Sequence, residues 1–133
     1  MKKQFYVSSL TFISSVACNL NCSFCYLNKN NSYKDYNKLV SAAWNDGSYL
    51  NNVLQTLNKL EVNNNDIETI QLWGGETLLQ VDDVTKNIPI IYENFPNINE
   101  WMISTNWLIN IDKVFKFFQE IDNYSNHFTT VTL

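Results

Sequence analysis

In the stretch Ser9-Leu10-Thr11-Phe12-Ile13-Ser14-Ser15-Val16-Ala17-Cys18-Asn19-Leu20-Asn21-Cys22-Ser23-Phe24-Cys25, a β-type run passes directly into three closely spaced thiols. Residues 8 to 16 suit a strand, with Leu10 and Phe12 on one face and Thr11 and Ile13 on the other. The spacing Cys18-x-x-x-Cys22-x-x-Cys25 then gathers all 3 cysteines of the chain into one loop. An odd number of cysteines cannot pair completely, and secreted scaffolds spread theirs along the chain to staple distant loops. Thiols clustered in one loop point to metal ligation instead.

Downstream, the periodicity alternates. Tyr36, Leu39, Val40, Ala43 and Trp44 fall at helical spacing, and a second stripe runs Leu50, Val53, Leu54, Leu57 and Leu60. Asp46-Gly47 divides the two, with Ser48 expected as the N-cap of the second helix. Ile67 to Trp73 is a second strand ending at Gly74-Gly75. Val81, Val84, Ile88 and Ile91 keep helical spacing, with Pro89 expected to kink or restart the helix. Glu100 to Thr105 is a third strand, and Asn110 caps a helix whose stripe is Val114, Phe117, Phe118 and Ile121. His127 to Leu133 opens as a fourth strand.

Strands alternating with helices predict an α/β fold with a parallel sheet. A closed eight-unit barrel needs roughly 250 residues. The chain, at 133 residues, is therefore expected to form the N-terminal half of a partial TIM-type barrel: about three βα units plus a fourth strand, in one truncated domain over residues 1–133. Such folds place their chemistry at the C-terminal ends of the strands.

Composition narrows the function. Hydrophobic residues make up 45% and charged residues 17%, which excludes global disorder. The net charge is −4 and the chain has no Arg, so no nucleic-acid partner is expected. No apolar run approaches the roughly 18 residues of a spanning helix, so no membrane association is expected. The run Asn63 to Asn65 reads as a loop tip. The start Met1-Lys2-Lys3, with the stretch Phe5 to Ala17 before Cys18, superficially resembles a lipoprotein leader. Ser8, Ser9, Thr11, Ser14 and Ser15 interrupt its apolar region, and that reading leaves Cys22 and Cys25 without a role.

Three thiolates on one short loop can grip one iron–sulfur cubane and leave its fourth iron open. A zinc site completed by His127, or buried structural thiols, are the alternatives. Gly74-Gly75 permits a sharp turn and a close approach, either to a cofactor or as an ordinary strand-end turn. Glu76 offers a carboxylate for an ammonium partner, or is a solvated surface acid. Met102, Ser104 and Asn106 alternate onto one face of the third strand, aiming Ser104 and Asn106 into the lumen unless they serve as turn or cap residues.

Together these motifs resemble the radical S-adenosylmethionine (radical SAM) superfamily. Cys18 to Tyr26 is similar to its cluster loop, with Phe24 as the aromatic residue before the last cysteine. Trp73-Gly74-Gly75-Glu76 looks like its Gly-Gly-Glu motif, and Ser104-Thr105-Asn106 resembles the polar strand end lining the SAM pocket. The resemblance implies a 4Fe–4S cluster on Cys18, Cys22 and Cys25, and SAM bound by Phe24, Gly74, Gly75, Glu76, Ser104 and Asn106. It implies an enzyme in which one-electron reduction cleaves SAM to methionine and a 5′-deoxyadenosyl radical, which takes hydrogen from a substrate. A one-electron reductant and a reducing cytoplasm go with that chemistry. The form Cys-Asn-Leu-x-Cys-x-aromatic-Cys-Tyr looks most like peptide- and protein-modifying branches, such as sulfatase-maturing enzymes and ribosomal-peptide maturases. Thr77 stands where Pro is commoner in that motif, and cysteines for auxiliary clusters are missing. The later strands of the family's barrel are also missing, so residues 1 to 133 alone are expected to self-associate and to lack turnover. A non-catalytic cluster- or metal-binding domain, or a partner subunit without turnover, is the alternative.

Overall fold

In the computed structural model, residues 6–18, 33–124 and 128–132 are described. Four segments form strands: β1 (Ser9–Ser15), β2 (Thr69–Gly74), β3 (Glu100–Ser104) and β4 (Phe128–Thr132). They make one sheet in the order β1-β2-β3-β4, with every neighbouring pair parallel. Parallel neighbours need a crossover, and helices supply it. Helices α1 (Tyr33–Asp46) and α2 (Ser48–Lys59) lie between β1 and β2, α3 (Val81–Thr85) and α4 (Ile88–Asn94) between β2 and β3, and α5 (Ile111–Asp122) between β3 and β4. This is the α/β arrangement of a partial βα barrel, as the sequence predicted.

Alternation along the strands separates two faces. Phe12, Ile70, Leu72, Trp101 and Ile103 are buried with the helix residues Trp44, Leu57, Val84, Ile88, Ile91, Phe117 and Ile121. Sheets covered on both sides read as nearly continuous apolar runs; these strands do not, and no helix of the described residues covers their second face. A row in register across the sheet, Thr11–Gln71–Met102–Thr130, carries mostly polar side chains on that face. Trp73 is 39% exposed and Met102 37%.

Helix α1 turns differently from its apolar stripe. Tyr36 and Leu39 are 60% and 65% exposed, and the inward side is Asn37, Val40, Ser41 and Trp44. Polar anchors decide this rotation. Ser41 Oγ donates to Asp83 Oδ2 at 2.7 Å, and Asn37 meets the backbone beyond β1. Trp44 Nε1 donates to the Ile13 carbonyl at 2.8 Å, while the Tyr49 hydroxyl accepts from the Ile13 N–H at 2.7 Å. The two rings stack with centroids 4.2 Å apart, and Phe12 packs edge-on against both. Burial raises the Tyr49 phenol above its ordinary range, although the Ile13 N–H partly opposes this.

Three boundaries also differ from or refine the sequence reading. Gly47, not Ser48, is the N-cap of α2, and the Asp46 carboxylate accepts from the Ser48 N–H at 2.8 Å. Hydrogen bonds from Ser48 hold the Asp46 carboxyl below the usual carboxylate range. Leu60, placed in the apolar stripe by its spacing, is the α2 C-cap and 45% exposed. The break at Pro89 is real, since Pro89 sits in the first turn of α4 where its missing N–H costs no hydrogen bond. Asn110 caps α5 as expected, its side chain accepting from the Asp112 N–H at 3.0 Å.

The rotation of α1 has a measurable consequence. Trp44→Ala is expected to lower stability by about 3–5 kcal/mol, whereas Leu39→Ala should stay within about 0.5 kcal/mol. Removing the α5 cap with Asn110→Ala should cost about 1 kcal/mol. Thermal or urea unfolding of the three variants checks all of these.

Candidate cofactor site

The C-terminal ends of β1 and β2 meet through backbone contacts that leave no room for β-carbons. The Gly75 N–H donates to the Ser15 carbonyl and the Glu76 N–H to the Ala17 carbonyl, each at 2.9 Å. A β-carbon on Gly74, whose φ is +155°, would lie 1.6 Å from the Ser15 oxygen, and one on Gly75 would lie 2.5 Å from the Ala17 oxygen. The two glycines are therefore required by the chain's own backbone, before any cofactor is considered. This contact holds Val16 and Ala17, and hence Cys18, beside the end of β2.

Glu76 follows at once, and it is no surface acid. It is 1% exposed. Its Oε1 accepts from the Leu78 N–H at 3.0 Å and the Thr105 hydroxyl at 2.6 Å, and its Oε2 accepts from the Asn106 N–H at 2.7 Å. A buried carboxylate needs such donors, and charge assistance shortens the bonds. The carboxylate thus ties the end of β2 to the end of β3. A carboxylate has about four acceptor positions, and donors from the described residues take three of them, two on Oε1 and one on Oε2.

A second link runs parallel to the first. Thr77 Oγ1 donates to the Ser104 carbonyl at 2.7 Å, and the Thr77 carbonyl accepts from Ser14 Oγ at 2.7 Å. The threonine that departs from the family's commoner proline therefore supplies a hydroxyl bond that proline lacks. Ser104 is exposed on β3. Asn106 does double duty: its Oδ1 accepts from the Leu108 N–H at 2.9 Å, the turn role weighed from sequence, while Nδ2 points at Cys18 Sγ, 4.0 Å away. Trp107 takes a left-handed conformation with φ 59°, its N–H donating to Thr105 Oγ1 at 3.1 Å.

The sequence-selected residues Cys18, Gly74, Gly75, Glu76, Ser104 and Asn106 therefore lie at one end of the sheet. Cys22, Phe24, Cys25 and His127 fall outside the described residues, so the cluster loop is seen only at Cys18, which is exposed. Sequence reasoning named Thr105 and Thr77 within motifs without assigning them a role, and missed Ser14 and Asn37. Each is a polar residue at or facing a strand end; Ser14, Thr77 and Thr105 are marked out by burial, and the half-buried Asn37 by its hydrogen bonds to the chain after β1.

An exposed cysteine at the open end of a parallel sheet, among backbone and side-chain donors, suits a thiolate-held cluster. Residues 9–126 match the family described as the 4Fe-4S single cluster domain, and the chain belongs to that family, a domain associated with radical SAM proteins. The membership supports a 4Fe–4S cluster as cofactor and does not specify a peptide-modifying branch. The chain is also similar to an uncharacterized protein of Methanocaldococcus jannaschii, MJ0907, with 34% identity over 107 residues. That alignment covers 79% of this chain and 32% of the relative, so the chain spans about a third of the relative's length. No solved structure matches the chain. Among the described residues, no helix is long and apolar enough to cross a membrane.

The strand-end contacts yield a stability test. Gly74→Ala is expected to lower stability by about 4 kcal/mol or more, because the clash is with backbone. Glu76→Gln, which sets an amide N–H or a weaker acceptor against bonds made to a charged group, should cost about 1.5–3 kcal/mol. Thr105→Val should cost about 1 kcal/mol. Denaturant midpoints check the series.

Proposed function

We propose that the chain is the N-terminal part of a radical SAM catalytic core, with a 4Fe–4S cluster on Cys18, Cys22 and Cys25. The observation that carries this reading is the meeting of Cys18, Glu76 and Asn106 at the C-terminal ends of three parallel strands. Bound there and reduced, the cluster would supply the single electron for cleavage of the SAM sulfonium bond, and the protein would set geometry and exclude water. In this reading the Glu76 carboxylate also accepts from the SAM ammonium, and the Gly74-Gly75 turn brings backbone close to the methionine moiety. Ser104 and Asn106 line the pocket from β3, and Phe24 packs on the cluster loop or the adenine. A one-electron reductant is the required partner, and a peptide or protein is the proposed substrate. The cytoplasm is the proposed location.

A second reading has its own support. Three internal donors already engage the Glu76 carboxylate, which is how a structural anchor behaves. On that basis the domain would hold a cluster without binding SAM. Titration with SAM separates the two, because only the first reading predicts a change in the cluster's electron paramagnetic resonance spectrum.

Anaerobic reconstitution is expected to load about one 4Fe–4S cluster per chain, and Cys22→Ala should abolish it, since two thiolates cannot hold the cubane. Stoichiometric zinc with no iron retained would overturn the assignment. Under conditions where circular dichroism shows it folded, Glu76→Gln should weaken SAM binding by about 1–3 kcal/mol with iron content unchanged. Unaltered SAM affinity would leave Glu76 as an anchor alone.

A further inference from the structure

Cys18 is held from two sides, and only one of them belongs to the recognised motifs. On one side the β2 end grips Ser15 and Ala17 through the Gly75 and Glu76 amides. On the other stands Asn37, on the second turn of α1. Its Oδ1 lies 3.1 Å from the Val16 N–H, 3.3 Å from the Ala17 N–H and 3.2 Å from Ser15 Oγ. The Ala17 N–H is shared with Ser15 Oγ at 3.2 Å. These donors fix the amide's orientation, because turning it over would set N–H against N–H.

The position of this contact in the chain matters as much as its strength. Residues 15–17 immediately precede Cys18, and Asn37 follows Cys25 by twelve positions. The contact therefore joins the two flanks of the segment that carries all three cysteines. Closing such a segment costs conformational entropy, which the fold then bears instead of the cofactor. Partners that orient a metal's ligands raise affinity without touching the metal.

We propose that Asn37 is a positioning residue that closes the base of the cysteine-bearing segment and presets Cys18 for the cluster. The proposal rests on the cluster assignment made above. Asn37 acts through the Val16 and Ala17 amides and need not contact the cofactor.

Isosteric substitutions test it. Asn37→Asp keeps the acceptor oxygen and Asn37→Leu removes it. In the reconstituted chain, Asn37→Leu should lose iron to a chelator about tenfold faster or more, the scale on which ligand-orienting partners act, and Asn37→Asp should stay near wild type. Ile121→Val, on α5, serves as a control for general destabilisation and should not change the rate. Amide hydrogen exchange of the iron-free chain gives an independent measure. Val16 and Ala17 should be protected in wild type and in Asn37→Asp, and should lose protection in Asn37→Leu. Loading of wild type with equal iron loss from the Leu and Asp variants would overturn the inference alone. Unprotected Val16 and Ala17 amides in wild type would overturn it even if Asn37→Leu fails to fold. A wild-type chain that takes up no iron would overturn the cluster assignment and this inference together.

Discussion

The backbone of β2 lies so close to the end of β1 that Gly74 and Gly75 admit no β-carbon, and the rest of the site is arranged around that contact. It fixes where the chain leaves β1, and thereby where Cys18 stands. It also turns the chain so that Glu76 enters the protein instead of solvent. Once inside, the carboxylate must be met by donors, and Thr105 and Asn106 meet it from β3. The ends of three strands are thus locked by one steric requirement and one electrostatic one.

The same end of the sheet is unusually rich in buried small polar side chains. Ser14, Ser15, Thr77 and Thr105 are all at most 6% exposed, and the hydroxyl of each is hydrogen-bonded. Buried hydroxyls without partners would destabilise the fold. With partners they give direction, because a hydroxyl bond restricts rotation more than apolar contact does. The helix side of the molecule is built differently, from aromatic and aliphatic packing around Phe12, Trp44, Trp101 and Phe117. Stability comes mainly from the helix side, and precise placement of functional groups comes from the strand ends.

Much of this was legible in the residues. Alternation in Glu100–Ser104 and the four-residue spacing from Val114 to Phe118 identified elements because burial imposes those periods. The pattern Gly74-Gly75-Glu76 marked the strand-end turn because few other residues tolerate such crowding. What stayed hidden depends on residues far apart in sequence. Nothing local to α1 tells that Asn37 and Ser41 will face inward while Leu39 faces water; their partners are Val16 and Asp83. Apolar periodicity favoured the wrong side because it gives no weight to polar side chains that find buried partners. Ser48 missed its cap position by one residue, since Asp46 reaches the same amide from before Gly47. The residues offered Glu76 as an ammonium partner or a surface acid, and its anchoring role required the geometry of Thr105.

The strand order also says how the sheet can be assembled. Each strand lies beside its predecessor, with register partners 60 residues apart for Ser9 and Thr69, 31 for Thr69 and Glu100, and 28 for Glu100 and Phe128. At the outer edge of β1, both backbone groups of Ile13 are taken by Trp44 and Tyr49. A strand cannot pair there without displacing two aromatic side chains from their bonds. Growth is therefore directional. The pairing with the greatest sequence separation, between β1 and β2, carries the largest loop-closure cost of the three. The glycine contact at the ends of β1 and β2 fastens that same closure, so the crowding that excludes β-carbons there also holds together the most distant pair of neighbouring strands.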